Sequence, residues 1–299
     1  MTRTLVTGAA GFTGRYVTRA LIERGHEVHG IVHGDQPGDG EGLKTVHQAD
    51  LADLEAVRSV VEDVRPDHVV HLAAIAFVAH GDVEQIYRSN VVGARQLLEA
   101  LDRGSHRPSS VVLASSANVY GNAREGAQDE NAPLAPVNDY GVSKVAMEYV
   151  AALYRPRLPI IIVRPFNYTG RGQSTDFLVP KIISHVRRKA PAIELGNLDV
   201  ARDFSDVRMV AEVYARLVST PEAIGGTFNI CSGRAVALRT LLELVSRLSG
   251  HAMDVRVDPR LVRRSDVSRL WGSAERLEQV IGPLPAVPLE DTLSWMLED

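Results

Sequence analysis

A short apolar strand, Thr4-Leu5-Val6, runs into Thr7-Gly8-Ala9-Ala10-Gly11-Phe12-Thr13-Gly14 and then into a helical pattern carried by Tyr16, Val17, Ala20 and Leu21. Strand, glycine turn and helix in this order constrain the chain more than any other feature, because they specify the start of a parallel β-α-β unit. Small residues let the backbone approach a ligand closely, and the free amides and dipole at the helix start favour negative charge there. The loop is therefore expected to hold the pyrophosphate of a dinucleotide, with contacts at Gly8, Gly11, Phe12, Thr13 and Gly14. Its spacing is G-x-x-G-x-x-G, one residue longer than the commonest form.

Further apolar runs at Val28 to Val32, Val69 to Leu72, Val111 to Ala114 and Ile160 to Val163 alternate with helical patterns near 12–24, 53–63, 83–103 and 141–154. That alternation predicts an α/β fold, a Rossmann doubly wound parallel sheet with helices on both faces, in residues 1–166. Ligands of such sheets bind beyond the carboxyl ends of the strands, where the Gly8 loop, the segment after Val70 and Ser116 all fall. After Asn167 the pattern is punctuated by Gly170, Gly172, Pro180, Pro191 and Gly196, which predicts a smaller C-terminal α/β lobe that takes the substrate.

With 299 residues, 45% hydrophobic and 23% charged, the chain is long enough for a large core. A net charge of -4 with mixed signs argues against nucleic acid as a partner. No apolar run approaches the roughly 18 residues of a membrane span, and the N-terminus enters a strand at once, so a cytoplasmic chain without membrane span or signal peptide is expected. The single Cys231 excludes an internal disulfide and reads as a packed strand residue, and the scattered histidines support no metal site.

Asp139-Tyr140-Gly141-Val142-Ser143-Lys144 carries the candidate chemistry. Tyr140 and Lys144 share one helical face, and a lysine beside a phenol is expected to lower its pKa from a reference near about 10, making Tyr140 a proton donor. Ser116, just after the run Val111 to Ala114, is expected to hydrogen-bond the same substrate oxygen. NAD enzymes place an acidic residue at the end of the second strand to bind the ribose hydroxyls, whereas here the position is Val32 followed by His33. Nothing there repels a 2′-phosphate, which favours NADP(H), although Asp35 could swing in to bind NAD(H).

Thr7 to Gly14, Asp50-Leu51, His71-Leu72-Ala73-Ala74, Ser115 to Gly121 and Tyr140 to Lys144 resemble, in order and spacing, the extended short-chain dehydrogenases/reductases. Arg164 to Asn167, Ala201 to Val207 and Phe228 to Gly233 look like further landmarks of that family. Gly196-Asn197-Leu198 with Ala201 to Phe204, and Val262 to Val267, are most similar to its GDP-4-dehydro-6-deoxy-D-mannose reductases. The resemblance implies that 206–232 returns to the Rossmann domain, leaving 167–205 and 233–299 as the substrate lobe. It also implies a homodimer paired through the helices near 83–103 and 141–154, with Ala146, Tyr149, Val150 and Leu153 in the contact.

By the same resemblance His33 lies where NADP-using relatives have arginine, Asp50 and Leu51 meet the adenine, Leu72, Ala73 and Ala74 line the cofactor, and Asn90 supports Lys144 through backbone and water. Arg202 and Arg263 stand where similar enzymes place arginines that grip a diphosphate bidentately. Asp266 stands where relatives have glutamate, and Asn118, Asn167 and Lys181 are further substrate contacts. Arg264 in place of a proline, Met209 in place of an aspartate and Gly282-Pro283-Leu284-Pro285 near the end depart from the pattern.

Dehydratases of this family carry an added acid and base after the residue equivalent to Ser116, because eliminating water needs both. Ala117 and Asn118 transfer no proton, so a reductase is expected that depends on a separate upstream 4,6-dehydratase. The reaction expected is NADPH-dependent reduction of GDP-4-dehydro-6-deoxy-D-mannose to GDP-D-rhamnose. A dTDP- or UDP-sugar 4-ketoreductase or 4-epimerase is the alternative, and a non-catalytic dinucleotide sensor is the reading from another class.

Overall fold

Seven parallel strands form the main sheet, and its residues alternate strictly between two helical layers. The computed structural model describes residues 1–34, 42–76, 82–122, 125–262 and 267–298. In chain order the strands are β1 (Arg3–Thr7), β2 (Glu27–Val32), β3 (Thr45–Gln48), β4 (His68–His71), β5 (Ser110–Ala114), β6 (Ile160–Pro165), β7 (Asn167–Thr169), β8 (Ala192–Leu195), β9 (Ala201–Asp206), β10 (Thr227–Ile230), β11 (Ala235–Ala237), β12 (Asp254–Val257) and β13 (Arg269–Leu270). The helices are α1 (Phe12–Glu23), α2 (Leu54–Val64), α3 (Val83–Tyr87), α4 (Ala94–Arg103), α5 (Asp139–Tyr154), α6 (Leu178–Arg187), α7 (Val207–Leu217), α8 (Leu238–Ser249), α9 (Glu275–Ile281) and α10 (Leu289–Leu297).

The main sheet runs β10-β6-β5-β4-β1-β2-β3. Its order reverses between β1 and β4, the place where an open α/β sheet leaves a crevice at its carboxyl edge. Leu5, Val69, Val111 and Ile160 face the layer of α2, α4 and α5, and pack against Val57, Leu97, Leu98 and Met147. Their neighbours Val6, Val70, Val112 and Ile161 face α1 and α7, and pack against Val17, Leu21, Val210 and Val213. Each such side chain, fully removed from water, contributes about 1.5–3 kcal/mol, which is why period-2 alternation within uniformly apolar strands is enough to define both faces. A separate core joins β8 and β9 to α6, α8 and α10 through Ile182, Leu195, Leu241 and Leu293.

Local sequence sets the helix ends. Asp53 caps α2 by accepting from the amides of Glu55 and Ala56 at 3.0 and 3.2 Å, and buried Val57, Val60, Val61 and Val64 follow at helical spacing. The continuous helix expected near 83–103 is instead interrupted by a π-turn over Arg88–Gly93. The edge strand β3, half-exposed and only four residues long, carries too weak an apolar signal to be seen from sequence. Cys231 is buried just past the end of β10 rather than within a strand.

Candidate active site

A cleft of about 460 Å³ opens at the carboxyl edge of the main sheet, between the Gly8–Gly14 loop and the segment that follows β6. Gly11 caps α1 with no side chain on the first amides, which leaves them facing the cleft. A Cβ on Gly14 would lie 2.0 Å from the Gly8 carbonyl oxygen, so only glycine lets α1 begin this close to the loop. Leu72, Ala73 and Ala74 at the end of β4 line the cleft next to the loop, with the Ala73 backbone packed against Gly8. The amide of Ala73 donates to Thr7 Oγ1 at 3.2 Å, and Thr7 lies 2.7 Å from His71 Nδ1. The threonine oxygen has a second lone pair, so the direction of the Thr7–His71 bond follows the tautomer of the ring. His71 is 1% exposed, and burial, reinforced by the Lys144 charge, pushes its pKa down to about 3. It is a neutral packing residue that orients the wall.

Ser116, Tyr140 and Lys144 meet at the centre of the cleft. Asn138 caps α5 by accepting from the Gly141 amide at 2.8 Å, which fixes the helix start that carries Tyr140. Lys144, one turn on, donates through Nζ to the Ala114 carbonyl at 2.7 Å and so ties α5 to the end of β5. Ser116 follows that strand end and lines the cleft with Tyr140. The acidic phenol expected beside Lys144 is not found. Burial pushes the Tyr140 pKa well above the ordinary phenol value, the Ser116 hydrogen bond opposes that shift, and Lys144 Nζ stands 5.9 Å from the ring centroid with a carbonyl to serve. Burial also lowers Lys144 to about 8, against the opposing charge of Glu148. The result is a phenol that stays protonated at neutral pH beside a cation able to stabilise the phenolate once the proton has left.

Glu148 lies one further turn along α5 and is held by Arg164 in a bidentate pair at 2.9 and 2.6 Å. It also accepts from Ser115 Oγ at 2.5 Å. The helix bearing Tyr140 and Lys144 is thus bolted to the strand end that presents Ser116. Arg164 reaches on to the Tyr120 hydroxyl at 3.1 Å, which donates to Asn229 at 2.6 Å.

The other expected residues divide. Asn118 and Asn167 line the cleft, but Asn118 turns its side-chain amide onto Ser116 Oγ at 3.1 Å rather than outward. Asn90 is buried. It exchanges hydrogen bonds with the Ile75 backbone and donates to Ser143 at 3.0 Å, so it supports the wall from behind. Asp50 accepts from Arg88 at 2.9 Å and Leu51 is buried beside it, both off the central cleft. His33 is exposed just beyond β2. Lys181 is drawn to the Glu194 carbonyl at 2.7 Å, outside the cleft. The Arg202 guanidinium lies against the carbonyls of Ala201 and Ser268 at 3.0 and 3.4 Å. Arg263 and Asp266, like Asp35, lie outside the described residues.

Tyr168, Gln173, Phe177 and Tyr214 also line the cleft and were not anticipated. Tyr168 stacks on Phe12 at 6.1 Å and bonds Thr13 at 2.8 Å, fastening the glycine loop to β7. The partners are 155 residues apart, and the only hint was the run Arg164 to Asn167 immediately before Tyr168. Among the described residues no group of three His, Cys, Asp or Glu could hold a metal, and no helix is long and apolar enough to cross a membrane.

Residues 5–296 match the family model described as GDP-mannose 4,6 dehydratase. A GDP-6-deoxy-D-talose 4-dehydrogenase of Aggregatibacter actinomycetemcomitans is 35% identical, covering 93% of this chain and 90% of its own. A GDP-6-deoxy-D-mannose reductase of Pseudomonas aeruginosa is 30% identical over 99% of this chain and 96% of its own. Among solved structures, one from Burkholderia cenocepacia J2315 with a provisional epimerase designation shares 49% identity at a TM-score of 0.93, covering 99% and 97% of the two chains. Pseudomonas aeruginosa RMD in complex with NADPH shares 28% identity at a TM-score of 0.83, covering 100% and 98%.

Proposed function

The chain belongs to the GDP-mannose 4,6-dehydratase family, and from that premise we propose that it is an NADPH-dependent reductase of the C4 keto group in a nucleotide-linked 4-keto-6-deoxyhexose, converting GDP-4-dehydro-6-deoxy-D-mannose to GDP-D-rhamnose. One observation carries the reading. Ser116, Tyr140 and Lys144 line one cleft together, while Ala117 and Asn118 occupy the positions from which elimination would need an acid and a base. Tyr140 can give one proton to a carbonyl oxygen, and positions 117 and 118 offer no acid or base to remove water.

The uncapped amides at the start of α1 suit a pyrophosphate, Leu72, Ala73 and Ala74 line the cleft beside the loop, and exposed His33 suits a 2′-phosphate. NADPH, when bound, supplies the hydride. Ser116 polarises the C4 carbonyl, Tyr140 gives its phenolic proton to the oxygen as negative charge develops, and the Lys144 cation stabilises the phenolate that remains. The lobe formed by 167–205 and 233–299 receives the sugar nucleotide, with Asn167 at the cleft and Arg202, Arg263 and Asp266 gripping the nucleotide. Ser268, the Arg202 partner, lies close in sequence to Arg263 and Asp266.

GDP-6-deoxy-D-talose, the C4 epimer of the assigned product, is the second reading, favoured by the 35% identity to the talose enzyme. An epimerase, the reading suggested by the Burkholderia structure, would return its hydride and show no net NADPH oxidation. Thermal shift with GDP, UDP, dTDP and CDP tests the nucleotide, because a ligand of the native state raises apparent stability. GDP is expected to give the largest shift, and a larger shift with dTDP or UDP would move the substrate to that series.

A further inference from the structure

We infer that Asn118 is a positioning residue that makes Ser116 a dedicated hydrogen-bond donor toward the substrate oxygen beside Tyr140, an inference that rests on the reductase reading. A serine hydroxyl has one proton and two lone pairs. In this site both lone pairs are taken by the same residue. The Asn118 backbone amide donates to Ser116 Oγ at 3.2 Å, and its side-chain amide nitrogen donates at 3.1 Å. What Ser116 has left is its proton, and Ser116 lines the cleft together with Tyr140 and Lys144, where the substrate oxygen is to be reduced.

The turn that holds Asn118 is itself rigid. Ala117–Val119 form a 3₁₀ turn capped by Ser116, closed by the Val119 amide donating to the Ser116 carbonyl at 3.2 Å, and the Val119 carbonyl accepts from Ala135 at 3.0 Å. Ser116 is 6% exposed, so no bulk water competes for its lone pairs. With its rotor set in advance, the hydroxyl need not reorient as charge builds on the substrate oxygen. An amide also neither gains nor loses a proton over the working pH range, so the donation is constant. An aspartate of the same shape would accept where the amide donates, and would draw the Ser116 proton away from the reacting oxygen.

The order of two variants separates positioning from packing. Asn118→Asp is isosteric and Asn118→Ala leaves a void, so a packing role makes Ala the more damaging. The donor role reverses the order: kcat for NADPH oxidation with the 4-keto sugar nucleotide is expected to fall about 100-fold in Asp and about tenfold in Ala, with KM and NADPH affinity within about threefold of the parent. A second readout needs no substrate. In the NADP⁺ complex of protein labelled at tyrosine ¹³Cζ, the Tyr140 signal, identified by its loss in Tyr140→Phe, is expected to move in Asn118→Asp. A moved signal in a parent enzyme that reduces no 4-keto sugar nucleotide would sustain the positioning role and defeat the reductase reading. Ala more damaging than Asp, or an unmoved Tyr140 signal, overturns the inference. Should the Asp variant not fold, Asn118→Ala is expected to cost nothing further in a Ser116→Ala background, and an added tenfold loss there overturns it equally.

Discussion

Gly141 faces the carbonyl of Asn118 so closely that a Cβ on the glycine would lie 2.7 Å from that oxygen and 2.9 Å from the Pro136 side chain. Helix α5 and the turn after β5 approach to this distance only because position 141 has no side chain. The approach brings Tyr140 to Ser116. Gly141→Ala must separate the two, so kcat/KM is expected to fall at least about tenfold and stability by about 1–3 kcal/mol, the range for overpacking. NADPH affinity, measured by fluorescence titration, is expected to change little, because the glycine loop is remote from the clash. Parental kcat/KM in a folded Gly141→Ala enzyme would show that the Ser116–Tyr140 distance is not limiting.

Cofactor preference is expected to depend on His33. Val32 is only 5% exposed, so an aspartate there tests the strand end while burying a carboxylate, whereas His33 is exposed and its removal disturbs no packing. His33→Ala is expected to raise KM for NADPH up to about fivefold and leave KM for NADH unchanged, since an exposed charge contact contributes about 0.2–1 kcal/mol. The unmodified enzyme is expected to prefer NADPH in kcat/KM. Equal use of the two cofactors would contradict the strand-end reasoning.

Much of this site was legible in the residues. The glycine loop, the alternation of apolar runs with helical patterns and the Tyr140–Lys144 spacing are local signals, and each follows from periodicity or from the backbone freedom of a small side chain. What was not legible depends on tertiary packing. The π-turn over Arg88–Gly93 leaves the 83–103 pattern apolar and helical to the eye. Tyr168 meets Thr13 across the whole Rossmann domain. Lys181 is spent on Glu194, as only the pairing of α6 with β8 reveals. The direction of the Tyr140 shift was misjudged because sequence shows a nearby cation but not the burial that outweighs it.

Acid is expected to destabilise the fold through its buried histidines. The folded pKa of His71 is depressed to about 3 by burial, against an ordinary value of 6.5. Between those values the unfolded chain binds the proton and the native chain does not, so the contribution is complete above pH 6.5 and is lost as pH falls toward 3. By pH 5 the loss from this group is about 2 kcal/mol, and His26 and His68, also lowered by burial, act in the same direction. Urea midpoints at pH 7 and 5 measure it. A His71→Asn enzyme should show a shallower fall between them, and an identical fall would remove His71 as a cause.

Tyr149 and Leu153 are 69% and 67% exposed on α5, on the face turned away from the sheet. Two large apolar side chains one turn apart suit the homodimer contact proposed for α4 and α5. Light scattering is expected to give a dimeric mass at micromolar protein, and Leu153→Glu with Tyr149→Glu a monomeric one. A monomeric mass for the unmodified chain would end the proposal.

A site with Ser116, Tyr140 and Lys144 but no acid-base pair at 117 and 118 should reduce a 4-keto sugar and be unable to make one. GDP-mannose supplied alone, then with a GDP-mannose 4,6-dehydratase, separates the two capacities when NADPH oxidation and the sugar product are followed together, the latter by NMR. Oxidation is expected only in the coupled reaction, with GDP-D-rhamnose formed, and Tyr140→Phe is expected to reduce it by about 10²–10⁴-fold while NADPH still binds. Formation of a 4-keto sugar from GDP-mannose by this protein alone, or undiminished oxidation in Tyr140→Phe, would contradict the assignment.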